Sequence, residues 1–404
     1  MMLLFCLSYL IKSYSLQCSS PLKHAEPVKN AKLVSFALYL RHGMRTPLMP
    51  YTNRTYIGQW ICDSESAYAP RNHFSVHKDG ISRRYFNQLD RTLVEFPPNC
   101  QTGDLLLQGM EQHHELGEFY RNYLVEELHF LPKLVHPELM KLRSSFVERT
   151  FRSAESFLAG FYPPVTPGER LSIITGTDSS DFLYPDAYFC SDLMKDWEKF
   201  TSSEKFIERR EKARVLYKDL YNRLNLTFDG ENWLYIGDYL NTMTCTNQEL
   251  PDFVKEVVTD ELFEQTQKDI AYYSYGHYSI RRGVGASAIL RDLFNNIDAQ
   301  LEGKAEERFF LYSAHDSTLA SILSAFGIYS EELPTYRSHL AFEIWENEAN
   351  DKGGSKEKYV RVVFNGEPIV LDQENKNVFV KYSDLKLELA QAGVLDYCRK
   401  EYDF

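Results

Sequence analysis

Leu33-Val34-Ser35-Phe36-Ala37-Leu38-Tyr39-Leu40-Arg41-His42-Gly43-Met44-Arg45-Thr46-Pro47 is the stretch on which the reading of this chain turns. Leu33 to Leu40 is a continuous apolar run, short enough for a strand covered on both faces. Gly43 allows a sharp turn after it, and Pro47 ends any regular structure. An imidazole at position 42 therefore stands between guanidinium groups at 41 and 45, just past the carboxyl end of a strand. Ligands of open α/β sheets sit there. Paired arginines favour a phosphate, which they can hold in bidentate geometry, and His42 is placed to act as a nucleophile at its centre.

Working outward, Phe309 to Ala314 repeats the arrangement. It is a second buried strand, followed at once by His315-Asp316 and then by a helix from Ser317 to Phe326 that Gly327 closes. A helix is also expected from about Val147 to Phe161, with Arg149 in its first turn. The orphan amides and the positive end of the dipole lie there, so an anion is favoured. Cleaving a phosphate monoester releases an alkoxide that needs a proton, and a protonated carboxyl group can supply it. Asp316 is the candidate donor.

The remaining segments frame this pair of strands. Residues 50–104 read as a long irregular excursion over the active-site side. Gln108 to Leu128 has helical periodicity through Met110, Leu116, Phe119, Tyr120, Tyr123 and Leu124. His113 and His114 are adjacent, so they face different ways and cannot form an i, i+4 metal pair; they are expected at the helix surface or in a polar core contact. Leu139 to Leu142 reads as a short strand. From 195 to 270, within a cap expected at about 175–270, the chain turns charged, amphipathic and helical, notably over Ser202 to Leu224 and Pro251 to Tyr272. This predicts an α-helical cap inserted into an α/β core, with Tyr272-Tyr273-Ser274-Tyr275 packing between cap and core. A helix over Ser279 to Ile297, a hairpin from Leu340–Trp345 and Tyr359–Asn365 with a solvated connection at 346–358, and a helix over Ser383 to Ala392 complete the reading. The expected fold is α/β, with a mostly parallel sheet sandwiched by helices.

Composition narrows the class. The 404 residues are 44% hydrophobic and 25% charged, ordinary for a globular protein, and carry a net charge of −12. That charge argues against nonspecific binding to nucleic acid or acidic membrane surfaces. Met1 to Ile11 is apolar but short of the about 20 residues a spanning helix needs. A cleaved secretory signal over residues 1–15 is expected, leaving 16–404; an uncleaved anchor is the alternative. Cys6 would leave with the signal. Cys18, Cys62, Cys100, Cys190, Cys245 and Cys398 form no CxxC pair, which favours disulfides over zinc and leaves their connectivity open. Asn53-Arg54-Thr55 and Asn225-Leu226-Thr227 are glycosylation acceptors, in keeping with a secreted or lumenal protein.

The segment Arg41-His42-Gly43-Met44-Arg45-Thr46-Pro47 resembles the RHGxRxP signature of the histidine acid phosphatases, and Tyr312 to Leu319, with His315-Asp316, resembles their second signature. Glu148-Arg149-Thr150, with Ser153-Ala154 and Gly160, is similar to the segment carrying the family's third phosphate-binding arginine. Gly109 to His113 and Leu116-Gly117 are similar to a helix of these enzymes. The resemblance spans about Leu33 to Asn365. It implies that His42 becomes phosphohistidine and that Arg41, Arg45, Arg149 and His315 bind the phosphate. Asp316 protonates the leaving group, and neither metal nor organic cofactor takes part. Phe96 to Cys100, Glu343-Ile344-Trp345 and Phe364-Asn365-Gly366 resemble the branch acting on 2-phosphoxylose. The substrate is then a small-molecule or glycan phosphomonoester, with a sugar phosphate and a phytase-type substrate as the competing readings. A non-catalytic binding protein would lack the nucleophile or the donor, and here both are present.

Overall fold

The computed structural model describes residues 18–48, 59–64, 67–69, 73–76, 82–85, 99–165, 170–186, 190–228, 232–347 and 356–399. The expected signal segment and Asn53 lie outside the described residues. So do most of the excursion at 50–104 and the centre of the 346–358 connection.

The elements follow in chain order as β1 (Ala31–Arg41), β2 (His73–Val76), β3 (Ser82–Tyr85), α1 (Leu107–Arg121), β4 (Met140–Ser144), α2 (Glu148–Phe161) and β5 (Ile173–Thr175). Then come α3 (Ser191–Thr201), α4 (Glu204–Leu216), α5 (Lys218–Arg223), α6 (Asn232–Cys245), α7 (Asp252–Lys255), α8 (Asp260–Tyr275) and α9 (Ser287–Leu301). The chain ends with β6 (Phe309–Ala314), α10 (Asp316–Ala325), β7 (His339–Asn347), β8 (Lys358–Phe364), β9 (Glu367–Pro368), β10 (Phe379–Lys381) and α11 (Tyr382–Gln391).

β1 is the central strand of a sheet ordered β10-β8-β7-β1-β6-β4-β5, with β9 beside β8. The alternation of its side chains supplies both cores. Ala37 and Tyr39 pack with Tyr312 of β6, Leu290 of α9, Ile322 of α10 and Leu389 of α11. Phe36, Leu38 and Leu40 pack on the other face with Leu116 of α1 and Phe157 and Phe161 of α2. A strand buried on both faces must be apolar at every position, which is why its sequence is a run and not an alternation.

The sheet is mixed, where a mostly parallel one was expected. β1, β6, β4 and β5 are parallel, but β7 pairs antiparallel with β1, and β8 with β7. The hairpin that the sequence made legible does not stand apart; it adds onto the open edge of the parallel half. Other boundaries also move. The helix expected to run to Leu128 ends at Arg121 and continues as a π-helical stretch, Asn122–Glu127. The helix expected from Ser279 begins only at Ser287, because Gly283 at φ 69° sets a turn before it.

The helices from α3 to α8 build their own apolar cluster around Phe206, Tyr217, Trp233, Ile236 and Leu240. Disulfides join Cys18 to Cys245, Cys62 to Cys100 and Cys190 to Cys398, with Cα separations of 5.3, 5.2 and 5.3 Å. They tie α6 to the N-terminal lead and the start of α3 to the C-terminal segment. Asn225 is exposed in the turn after α5. Among the described residues no helix is long and apolar enough to cross a membrane.

Candidate active site

Register brings the site together. Arg41 pairs with Ala314 and Ser144 with Ser313, so β1, β6 and β4 end at one level. The segments that leave them, with His42, with His315-Asp316 and with Ser145 leading to Arg149, converge there. α2 and α10 both start at this edge, so two helix N-termini aim positive dipole ends at one place.

His42 is buried, and its Nδ1 lies 2.9 Å from the carbonyl oxygen of Gly43. A carbonyl only accepts, so Nδ1 carries the proton and Nε2 keeps its lone pair. Burial, with the charges of Arg149, Arg41 and Arg45, holds the imidazole well below its usual pKa and therefore neutral.

α1 seats this loop from beneath. A Cβ on Gly43 would lie 2.3 Å from the Gly109 carbonyl oxygen, and one on Gly109 would lie 2.3 Å from that of Met44, so both positions require glycine. The Met44 amide donates to Gln112 Oε1 at 3.0 Å, and the Gly43 amide donates to Ser153 Oγ of α2 at 3.2 Å. His113, fully buried on the same face of α1, faces the backbone of Arg41 and His42, and burial pushes its pKa down to about 3. Of the two expectations for the adjacent histidines, neither describes His113, which is buried with no hydrogen-bond partner at either ring nitrogen among the described residues.

The three arginines differ in their partners. Arg41 donates to the Pro334 carbonyl, lies over the Tyr336 ring at 4.4 Å and pairs with Asp316 at 2.8 Å. Arg45 is clamped by Asp238 of α6 through bonds of 2.6 and 3.3 Å and also donates to the Thr46 carbonyl at 3.0 Å. Arg149 has no carboxylate partner among the described residues; its Nη2 lies 3.4 Å from His315 Nδ1. Burial, then the nearby Arg45, lowers its pKa to about 10.

His315 is the second link of a chain. Arginine only donates, so Nδ1 accepts from Arg149, and Nε2–H donates to Ser145 Oγ at 2.9 Å. Ser145 in turn donates to Asp181 at 2.5 Å. Burial and the arginine charges keep His315 neutral. Burial acts to raise the Asp316 pKa, but Arg41, Arg45 and a hydrogen bond from Tyr275 together carry it below the usual carboxylate value. Asp316 is thus ionised.

All six residues singled out in the sequence, Arg41, His42, Arg45, Arg149, His315 and Asp316, line one chamber of about 390 Å³. Sequence reading missed Asp238, Gln112, Ser145 and Asp181. The motif around His113 was visible, but nothing local says which face of a helix meets a loop 70 residues earlier. Of the run expected to pack between cap and core, Tyr272 and Tyr273 lie within the α3–α8 cluster and Tyr275 in the core beside the sheet, while Tyr273, Ser274 and Tyr275 also line the chamber.

A phosphate-sized anion pocket around a neutral imidazole, at the strand ends of a helix-covered sheet, defines a phosphomonoester hydrolase of the histidine type. The chain belongs to the histidine phosphatase superfamily (branch 2), whose family model matches residues 32–365. It is a histidine acid phosphatase. Its relatives include 2-phosphoxylose phosphatase 1 of Mus musculus, 27% identical over 388 residues that cover 90% of this chain and 75% of that one. Counting factor 60 of Dictyostelium discoideum is 25% identical over 345 residues, covering 82% and 79%. A probable acid phosphatase of the same organism is 23% identical over 391 residues, covering 87% and 78%. Among solved structures, the apo phytase of Hafnia alvei has the same fold, with a TM-score of 0.58, 13% identity and coverage of 91% of this chain and 98% of that one.

Proposed function

We propose that the enzyme hydrolyses phosphate monoesters in two steps through Nε2 of His42. The Nε2 lone pair attacks phosphorus while the ester P–O bond breaks, and the leaving oxygen takes the proton of the Asp316 carboxyl group. Water then attacks phosphorus and the P–N bond breaks. Asp316 takes the proton from that water, and inorganic phosphate leaves. The observation that carries this reading is the Nδ1–H bond from His42 to Gly43, which leaves Nε2 free among three arginines.

Acid pH enters through charge. Arg41 is already paired with Asp316, and Arg45 with Asp238. A bound phosphate dianion takes over Arg41 and adds negative charge beside Asp316, which raises the Asp316 pKa and loads the proton the leaving group needs. Activity is therefore highest at acid pH and falls as pH rises through the Asp316 pKa of the complex. We read the α3–α8 helices as the cap that receives the leaving group, and the three disulfides support a secretory, lumenal or extracellular setting.

Relatives named 2-phosphoxylose phosphatase favour a sugar phosphate as substrate. Rapid quench of the full-length protein with radiolabelled phenyl phosphate tests the reaction. Wild type should trap an alkali-stable, acid-labile phosphoenzyme, and His42→Ala should trap none. Equal phosphate release by both proteins would refute the mechanism.

A further inference from the structure

The hydrogen bonds behind the phosphate pocket all run one way. Arg149 donates to Nδ1 of His315, Nε2–H of His315 donates to Ser145 Oγ, and Ser145 donates to Oδ2 of Asp181. The backbone amides of Phe146 and Leu183 also donate to the Asp181 carboxylate, each at 3.0 Å. Burial raises the Asp181 pKa above the ordinary aspartate value, while these three bonds and the charge of Arg143 act to lower it. In each of these bonds the hydrogen belongs to the partner, so Asp181 ends the chain as an acceptor. The chain is also fixed in place. His315, Ser145 and Asp181 are all buried, and the Ser145 amide donates to the Ser313 carbonyl of β6 at 2.9 Å.

This polarity has a consequence for an entering oxyanion. It turns the hydrogen of the neutral imidazole inward, toward Ser145, and leaves the Nδ1 lone pair on the side of Arg149, where both residues line the chamber. When a phosphate takes Arg149, that lone pair meets an oxygen that also carries only lone pairs. The contact is repulsive until a proton lies between them. A solvent proton at Nδ1 converts the ring to an imidazolium that donates to the anion on one side and to Ser145 on the other. The groups that face His315 are Arg149 from α2, Asp316 beside it, and Arg45, Arg41 and the neutral His42 from the end of β1, with the Tyr184 ring edge-on at 4.7 Å. The arginines oppose the imidazolium. The dianion and Asp316 favour it from the front, and Asp181 favours it from behind.

We propose that Ser145 and Asp181 are positioning residues for oxyanion capture: they hold His315 so that it takes up a solvent proton at Nδ1 as a phosphate dianion enters, and Asp181 supplies the countercharge behind the imidazolium. The inference rests on the reading of the chamber as a phosphate pocket. It adds to Asp316 a second group favoured by acid, one that acts on binding and not on the leaving oxygen.

Sulfate provides the test, because it is a tetrahedral dianion whose charge is constant across the range used. The full-length protein carries His42→Ala and Asp316→Asn, so that neither the nucleophile nor the donor titrates beside the anion. Calorimetric titration in buffers of different ionisation enthalpy, from about pH 5 to 7.5, counts the protons taken up. Below the His315 pKa of the complex, uptake should approach one proton per sulfate and Kd should rise about tenfold per pH unit, levelling off above it. Adding Asp181→Asn should move that levelling-off to lower pH by about one unit, the scale of one opposite charge removed at short range. Ser145→Ala, which breaks the link, should move it likewise, and Ser145→Thr, which keeps the hydroxyl, should restore it. A purely structural role would weaken sulfate equally at every pH and leave the levelling-off in place, which would overturn the inference. So would sulfate binding by the parent protein with no proton uptake, a result that needs neither Asp181→Asn nor Ser145→Ala to fold. Failure of the parent to bind sulfate at any pH would instead overturn the phosphate pocket on which the inference stands.

Discussion

Asp316→Asn should move two quantities in opposite directions. Asp316 pairs with Arg41 at 2.8 Å, so an incoming phosphate competes with a carboxylate for the guanidinium. Asparagine removes that competitor. At an effective dielectric near 20, a unit charge about 4 Å away is worth at most about 4 kcal/mol. Part of that is offset because Arg41 keeps the Pro334 carbonyl and the Tyr336 ring. Inorganic phosphate should therefore bind roughly tenfold tighter to the variant, equivalent to about 1.4 kcal/mol. The proton is lost at the same time. Phosphorylation should slow by about 10²–10⁴ for alkyl phosphates and much less for nitrophenyl phosphate, whose leaving group needs no proton. The assay is kcat/KM across a series of esters of rising leaving-group pKa, beside the inhibition constant of phosphate. A steeper dependence together with tighter phosphate supports the donor role. Weaker phosphate binding with an unchanged dependence would mean that Asp316 merely orients Arg41.

Two further perturbations address the supports of the site. Asp238→Ala strands Arg45, buried, with the Thr46 carbonyl as its remaining bond, and breaking a buried pair from one side costs about 3–5 kcal/mol. Urea unfolding should report that loss and KM for phenyl phosphate should rise; a change below about 1 kcal/mol would count against the clamp. His339 is fully buried, and burial lowers its pKa to about 4. The unfolded chain then binds a proton that the folded one refuses, so stability present above the unfolded value of 6.5 is lost as pH falls from there toward 4. His339→Gln should reduce that acid loss by up to about 1.4 kcal/mol per pH unit, read from urea midpoints between pH 7 and 4.5. Identical slopes in both proteins would refute a neutral, buried His339.

The sequence by itself determined the parts of this enzyme whose signals are local. β1 and β6 are legible because a strand buried on both faces must be apolar throughout, and the groups that end them sit where their own turns put them. Arg41, His42, Arg45 and the His315-Asp316 pair follow from that. Arg149 follows from a helix start at Glu148. The β7–β8 hairpin was legible as well, but its attachment to β1 was not, because antiparallel pairing adds no residue pattern that a covered strand does not already have.

The tertiary structure decided what depends on separation in sequence. Asp238 reaches Arg45 across 193 residues and His315 meets Ser145 across 170. A carboxylate on a helix facing an aromatic chamber looks, in sequence, like any solvated helical acid. The same holds for His113, whose face of α1 becomes a loop support only because the glycines at 43 and 109 let two backbones touch. Side-chain chemistry at 39–47 thus fixed the reaction. Register and helix packing decided which of its groups are paired and which charges surround them.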